Sequence, residues 1–249
     1  MHKSLETGDL MQIVANDNLV RSKVKIGNIA NFASMGLLAV GFILSLQIDT
    51  LGQTAIFLAY GAMIGAFLLL SYGRTFTRRW GARFRQDQWL IPSLRGTDNR
   101  YTLFNYLSTD LPDHILVGPG GLFVLIPRAN SGTIRFENGK WSRGSIGSTI
   151  LRGLAEGGLG NPLMDVRIAL TKLATYLKKH GSEELIHGLE ARPIVVFTNP
   201  GANLQVRNAP VAVVRAKEIR SILRRAKPIL PPEKIEGLVE VLGREVAES

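Results

Sequence analysis

Residues 26–73 contain two long apolar runs that constrain how the whole chain can fold. The runs cover residues 26–48 and 50–73, are 23 and 24 residues long, and contain no Lys, Arg, Asp or Glu. A helix crosses a bilayer with about 20 apolar residues, and in lipid a helix satisfies its own backbone hydrogen bonds. The pattern therefore predicts a transmembrane helical hairpin with spans at about 27–47 and 54–73.

A buried helical pair and a cleaved signal peptide both account less well for these runs. A helical pair in a soluble core seldom reaches this length without a charged residue. A signal peptide has a shorter apolar region, ends in a small-x-small cleavage site and is not followed at once by a second apolar run. Neither run contains an acidic, basic or histidine residue, which argues against a transporter or a proton relay. We therefore expect the hairpin to be a membrane anchor.

Small residues in the second run indicate where the helices pack. Gly61 and Gly65 are four residues apart, and Ala62 and Ala66 lie beside them. This small-xxx-small spacing lets helix backbones approach closely in lipid. We expect Gly61 and Gly65 to pack against the first span, and a homodimer contact is the second use of such a motif.

The net charge of +10 is unevenly distributed and indicates an orientation. Residues 74–95 carry six Arg and one Asp, and basic residues also precede the first span, whereas the connector has none. Because cytoplasmic flanks of membrane helices are rich in Lys and Arg, we expect both termini on the cytoplasmic side of the inner membrane. The same cations attract anionic headgroups of the lipid bilayer by about 1 kcal/mol each. The cations expected at the membrane surface are Arg74, Arg78, Arg79, Arg83 and Arg85.

Composition divides the rest of the chain into three parts. Residues 1–25 are polar and mixed in charge, and we expect a cytoplasmic tail with a short helix near residues 10–15. Residues 74–96 are expected to form a juxtamembrane linker, whose alternating aromatic and Arg residues are typical of a membrane interface rather than of stacking on nucleic acid. Residues 97–249 are long enough for one ordinary domain, and the lack of cysteine excludes disulfides and thiolate metal sites.

Residues 97–249 contain the signals of a mixed α/β sheet. An apolar, β-branched run at residues 113–118 is followed by Pro-Gly-Gly and a second apolar run, which together predict a β-hairpin. Asn161 before Pro162 predicts a helix start, because Asn caps helices and Pro suits the first helical position. Further predictions are a short helix or strand at 99–108, strands at 122–126, 131–137, 193–198 and 211–214, a flexible loop at 142–160, and helices at 161–179, 217–227 and 232–247.

Three of these segments resemble the nuclease-related domain, NERD, of the PD-(D/E)xK group. They are residues 113–128 (DHILVGPGGLFVLIPR), the Asn-Pro-Leu at residues 161–163, and residues 193–200 (PIVVFTNP). The resemblance covers about residues 100–215. It implies a restriction-endonuclease-like mixed-sheet domain, and membrane-anchored members with N-terminal helices occur in that family.

The resemblance also implies a chemistry and a departure from it. The family's proposed site has an Asp at the start of the β-hairpin and a Glu-x-Lys at the end of its second strand. The carboxylates hold Mg²⁺, and the Lys positions or activates water. Asp113 matches the first position, but Ile126 stands at the Glu position and Arg128 at the Lys position. Because Ile cannot bind Mg²⁺ and Arg is never deprotonated, the resemblance implies a degenerate site.

Three functions follow as alternatives. The first is a membrane-tethered binding module without hydrolytic activity, whose ligand is nucleic acid. The second is an active Mg²⁺-dependent nuclease in which Glu137 or Asp165 supplies the missing carboxylate. The third is a structural scaffold that dimerises through Gly61 and Gly65. We expect no cofactor or metal except Mg²⁺ under the nuclease alternative, and the four His residues lack metal-ligand spacing. The predicted phosphate-binding residues are Arg128, Arg135, Lys140 and Arg143.

Overall fold

The computed structural model describes residues 11–47, 52–81, 85–144 and 158–247. It divides into two compact units. One unit is Asp17–Arg85, and the other consists of Met1–Asn16 together with Gln86–Ser249. The first unit is therefore an insertion in the chain of the second.

The inserted unit is a pair of long apolar helices. Helix α1 spans Asp17–Leu46, and helix α2 spans Gln53–Trp80. Both are long and apolar enough to cross a membrane, with a mean hydropathy of 2.0 in their most apolar windows. Only 17% of the residues in each window are buried, unlike the core helices of a soluble protein. Large apolar side chains instead face outward, as with Phe32 and Phe57, which are 72% and 75% exposed.

Small residues form the contact between α1 and α2, but not at both predicted positions. A Cβ atom on Gly73 would meet Asn31 Oδ1 at 2.2 Å, and one on Gly65 would meet Leu37 Cδ2 at 3.0 Å. A Cβ atom on Gly61 would meet nothing within 4 Å, so the prediction that Gly61 packs against the first span is wrong. The buried small residues of α2 are Ala55, Ala59, Ala66 and Gly73. Gly61 follows Ala59 by two residues, which places it on the other side of the helix.

The second unit is an α/β domain. Its strands are β1 Gln12–Ala15, β2 Thr102–Asn105, β3 His114–Gly118, β4 Gly121–Arg128, β5 Gly132–Glu137, β6 Lys140–Arg143, β7 Ala191–Phe197, β8 Ala202–Val206 and β9 Ala212–Arg215. Its helices are α3 Asp87–Leu94, α4 Pro162–His180, α5 Glu183–Ile186, α6 Ile219–Arg225 and α7 Pro232–Ala247, with a 3-10 turn at Ala216–Glu218.

Six strands form the main sheet, in the order β1-β2-β3-β4-β7-β9. Strands β2, β3 and β4 pair antiparallel, whereas β1 pairs parallel with β2, and β7 pairs parallel with both β4 and β9. A second sheet has the order β6-β5-β8. The predicted mixed α/β sheet and the β3–β4 hairpin are therefore confirmed, and the ambiguous segment at 99–108 contains strand β2.

Helices cover both faces of the main sheet. On one face, Val117 and Val124 share a core with Leu173 of α4 and Leu238 of α7. Side chains alternate along a strand, so the neighbouring residues form a second core on the other face, against α3 and α6. A third apolar cluster joins the second sheet to β7 and α4.

The N-terminal segment contains a strand instead of the predicted short helix. Strand β1 pairs in register with β2, from Gln12 opposite Thr102 to Ala15 opposite Asn105. Ile13 and Val14 are β-branched, which favours a strand, and Val14 packs against the core. Residues 12–15 are therefore part of the sheet rather than of a tail.

The α/β domain also begins earlier than predicted. The sequence places the boundary at residue 97, but α3 buries Leu90 and Leu94 completely against the main sheet. Most of the predicted linker at 74–96 is helical, because α2 continues to Trp80 and α3 begins at Asp87. The charged residues that end the apolar run thus do not end the helix.

Candidate functional site

Most buried polar residues of the α/β domain lie at one edge of the main sheet, the edge formed by the ends of its strands. Strands β1, β2, β4, β7 and β9 are mutually parallel, so their carboxyl ends meet at this edge, where β3 begins. Nine polar or charged residues are buried in the described part of the chain, and six lie at or beside this edge. They are Asn16, Asp87, Asn105, His114, Asn130 and Thr198. Because ligands of α/β sheets bind at carboxyl strand ends, we take this carboxyl edge as the candidate site.

Asp113 immediately precedes β3, close to where the resemblance expects the first carboxylate. Its carbonyl oxygen accepts a hydrogen bond from the amide of Tyr106 at 2.7 Å. The register pairs Ile115 with Val124 at the end of the ladder, and Asp113 and Ile126 each lie two residues beyond that pair. Ile126 and Arg128 face the same side of β4, because side chains alternate along a strand. The β-hairpin thus brings together the three positions that the resemblance concerns.

Arg128 forms an ion pair with Asp165 in the first turn of α4. The Arg128 side chain is 22% exposed, and its Nε is buried with no hydrogen-bond partner among the described residues. Burial lowers the pKa of the Arg128 guanidinium, whereas the adjacent carboxylate favours the charged form, so Arg128 stays protonated. A carboxylate paired in this way is a poor ligand for Mg²⁺, because the guanidinium repels the metal ion.

His114 and Asn105 are a buried polar pair to which the sequence assigned no role. His114 Nδ1 lies 2.8 Å from Asn105 Oδ1, and the imidazole packs edge-on against the Tyr106 ring. Asn105 is fully buried, and its Nδ2 has no partner among the described residues. The pair was missed because Asn105 and His114 become neighbours only through the register of β2 and β3.

Hydrogen bonds at the carboxyl edge hold the two residues that flank the helical insertion. Asn16 Nδ2 donates to the carbonyl of Leu107 at 2.9 Å, and the backbone amide of Gln86 donates to the Tyr106 hydroxyl at 3.3 Å. Gln86 Oε1 accepts from the Thr198 hydroxyl at 3.1 Å, and the Thr198 amide donates to the carbonyl of Arg128 at 2.8 Å. The site thus includes the residue at which the chain re-enters the α/β domain.

The four predicted phosphate-binding residues do not share one surface. Arg135 and Lys140 lie on the exposed face of the second sheet. Arg143 pairs with Ile134 on the opposite face and donates from Nε to the carbonyl of Ser131 at 2.8 Å. Arg128 lies in the main sheet. The separation follows from strand alternation, which reverses the side-chain direction at every residue.

The exposed face of the second sheet carries a groove that the sequence did not predict. The groove has a volume of about 480 Å³ and lies along β5 and β8. Arg135 Nε donates to Gln205 Oε1 at 2.8 Å, and Arg207 lies 3.7 Å from the carboxylate of Glu137. Glu137, one of the two suggested replacement carboxylates, therefore pairs with a cation that directly follows β8. Strand β8, which supplies Gln205, carries too weak an apolar alternation to be found from sequence.

The remaining predicted positions lie at the ends of helices or outside the described residues. Arg74, Arg78 and Arg79 lie in the last two turns of α2. Arg85 precedes α3, whereas Arg83 lies outside the described residues. The centre of the predicted loop at 142–160 also lies outside them. Among the described residues, no group of three or more His, Asp or Glu could hold a metal ion.

No family model, curated protein or solved structure matches this chain. The fold and the site by themselves define a class of protein, an α/β domain with a polar carboxyl edge that is interrupted by two helices long and apolar enough to span a membrane.

Replacing Asp165 by Asn is expected to lower the free energy of unfolding by about 1–2 kcal/mol. The change leaves the Arg128 guanidinium without its counterion. Loss of one partner of a fully buried pair costs about 3–5 kcal/mol, and the 45% exposure of Asp165 reduces that cost. Urea denaturation of the full chain in detergent measures the difference. The double variant Arg128→Met with Asp165→Asn should regain most of it, and an equally unstable double variant would contradict the ion pair as the cause.

Proposed function

We propose that this chain is a membrane-tethered, nuclease-related binding module that holds nucleic acid without hydrolysing it. The proposal includes the restriction-endonuclease-like identity of the α/β domain. The proposed lack of hydrolysis rests on the end of β4. Ile126 occupies the position of a metal ligand there, and Arg128 pairs with Asp165. One further carboxylate, Asp113, is too few for the two-carboxylate Mg²⁺ site of that family.

The connectivity supports a tether with both ends on the cytoplasmic side. Asn16 and Gln86 flank the helical insertion and belong to the same α/β domain. If α1 and α2 both cross the membrane, the two ends of the hairpin must therefore return to one side. The Arg residues in the last turns of α2 favour the cytoplasm as that side.

The exposed face of the second sheet supports phosphate binding. Arg135 and Lys140 project from this face, Arg207 lies beside it next to Glu137, and Asn203 and Gln205 provide amide groups. Guanidinium and ammonium groups position a phosphate backbone, and amides donate further hydrogen bonds to it. The hydrogen bond from Arg135 to Gln205 orients the guanidinium before a ligand arrives. Binding of this kind does not depend on base sequence.

The full chain, purified in mild detergent, is expected to retard plasmid DNA in a gel without cutting it. Retardation should be equal in Mg²⁺ and in EDTA and should weaken as salt rises, because each phosphate contact releases counterions. The variant Arg135→Ala with Lys140→Ala should lower the slope of log affinity against log salt by about two. Lys179→Ala, which removes an exposed cation at the end of α4, is the control and should leave binding unchanged.

Three results would reject parts of this proposal. Mg²⁺-dependent cutting that is lost in Asp113→Ala would favour the nuclease alternative and a carboxylate recruited from elsewhere. Unretarded DNA at low salt would remove nucleic acid as the ligand. Equal weakening in Lys179→Ala would show that binding follows net charge rather than the face of the second sheet.

A further inference from the structure

A second basic surface lies on the layer formed by α3 and α6. The two helices pack side by side, because Leu90 and Leu94 of α3 share one apolar cluster with Ile219 and Leu223 of α6. Arg220 Nη1 also donates to the carbonyl oxygen of Arg95 at 2.8 Å. We call the exposed indole and cations of this layer the α3–α6 surface; they are Trp89, Arg95, Lys217, Arg220, Arg224, Arg225 and Lys227.

Few acidic groups accompany the cations of the α3–α6 surface. Asp87 is buried, and Glu218 is held by Arg215, whose hydrogen bond lowers the pKa of that carboxyl group. The six exposed cations of this surface make no ion pair with a described residue. The helices on the opposite face mix both signs, and α7 alone carries four Glu against one Lys and one Arg. The α3–α6 surface is therefore complementary to an anionic partner.

Trp89 adds an apolar group to this positive surface. Its side chain is 54% exposed, whereas the neighbouring Leu90 is fully buried. Exposed indole next to cations is favoured at a membrane interface, where the ring enters the headgroup region and the N–H remains hydrated. Single-stranded nucleic acid would instead require several aromatic side chains on which successive bases stack. One exposed aromatic residue among six cations fits lipid better.

A short segment joins the helical hairpin to α3. Six residues, 81–86, separate the end of α2 from the start of α3. Fully extended, such a segment spans only about 20 Å. We infer that the α3–α6 surface docks on an anionic phospholipid bilayer, with Trp89 inserted and the cations bound to headgroups. This inference rests on the proposed tether, and it assigns the membrane a second contact through the α/β domain.

A fluorescent label can report docking in the full chain. Because the chain contains no cysteine, Pro92→Cys at an exposed position of α3 accepts a single environment-sensitive dye. The labelled chain is reconstituted in phosphatidylcholine vesicles with or without phosphatidylglycerol. We expect emission at a shorter wavelength only with phosphatidylglycerol, and a return to the aqueous value at high salt. Adding Trp89→Ala, or Arg224→Glu with Arg225→Glu, should abolish the shift. The same dye on Glu236→Cys of α7 should remain aqueous throughout.

Each outcome decides the inference. An aqueous signal from position 92 in phosphatidylglycerol vesicles, or an equal shift from position 236, would overturn it. A shift caused by an added oligonucleotide in pure phosphatidylcholine, and not by phosphatidylglycerol, would replace lipid by nucleic acid. Flotation of the same vesicles in alkaline high salt tests the tether separately. A chain that does not float under those conditions contradicts the tether, whereas the dye alone decides the docking surface.

Discussion

Removing residues 17–85 and joining Asn16 to Gln86 through a short Gly-Ser linker is expected to yield a soluble, cooperatively folded domain. Both ends are held at neighbouring positions, because Asn16 bonds Leu107 and Gln86 bonds the Tyr106 hydroxyl. A linker of about eight residues reaches roughly 25 Å, which spans such a gap. Circular dichroism should show the helix and strand content of the domain and one unfolding transition.

A fragment of residues 97–249 is the matched comparison and is expected not to fold. It lacks β1, and it lacks Leu90 and Leu94, which are fully buried in the domain. Burial of each Leu contributes about 1.5–3 kcal/mol, and a domain is stable by only about 5–15 kcal/mol. Equal cooperativity in both proteins would show that β1 and α3 are dispensable and that the domain starts at residue 97.

Gly73→Leu is expected to destabilise the helical hairpin by at least about 1–3 kcal/mol, the usual cost of overpacking. A side chain at this position collides with Asn31 Oδ1 and with the backbone oxygen of Gly27, at 2.2 and 3.0 Å from the added Cβ. Because the second collision is with backbone, rotation of a side chain cannot relieve it. The effect is measured by titrating SDS into the full chain in mild detergent and monitoring the loss of helix.

Gly61→Leu makes the same chemical change at the other predicted packing position. Nothing lies within 4 Å of the added Cβ, so hairpin stability should change by less than about 0.5 kcal/mol. An equal loss of hairpin stability in both variants would contradict the finding that Gly73, and not Gly61, lies on the side of α2 that packs against α1. The Gly61 variant also bears on the homodimer, which remains a prediction. If two copies pack through this open face, Gly61→Leu should abolish cross-linking between chains in membranes.

The apolar runs, the β3–β4 hairpin and the start of α4 follow from local sequence. Each depends on physical effects that act over a few residues. Asn161, for example, accepts a hydrogen bond from the Met164 amide at 3.3 Å, as its place before Pro162 predicts. Local patterns also placed Asp113, Ile126 and Arg128 along one hairpin. Their identities raise the question of whether the candidate site can bind a metal ion.

Contacts between distant residues could not be inferred in this way. Strand β1 pairs with β2 across the whole helical insertion, and no local pattern specifies a parallel partner about 90 residues away. The ion pair between Arg128 and Asp165 likewise requires α4 to pack over the end of β4. Sequence spacing grouped Arg143 with Arg135 and Lys140, but the strand register assigns Arg143 to the other face.

The sequence by itself determined the two membrane-length helices, the mixed α/β character of the remainder and the absence of a Glu-x-Lys at the end of β4. These depend on hydropathy, short-range periodicity and residue identity, which need no knowledge of the neighbours in space. Only the tertiary structure decided that the helices interrupt the domain, that Asp165 pairs with Arg128, and that Gly73 rather than Gly61 lies between the helices. Those outcomes depend on which distant surfaces bury each other, because packing and hydrogen bonding select among arrangements that are locally equivalent.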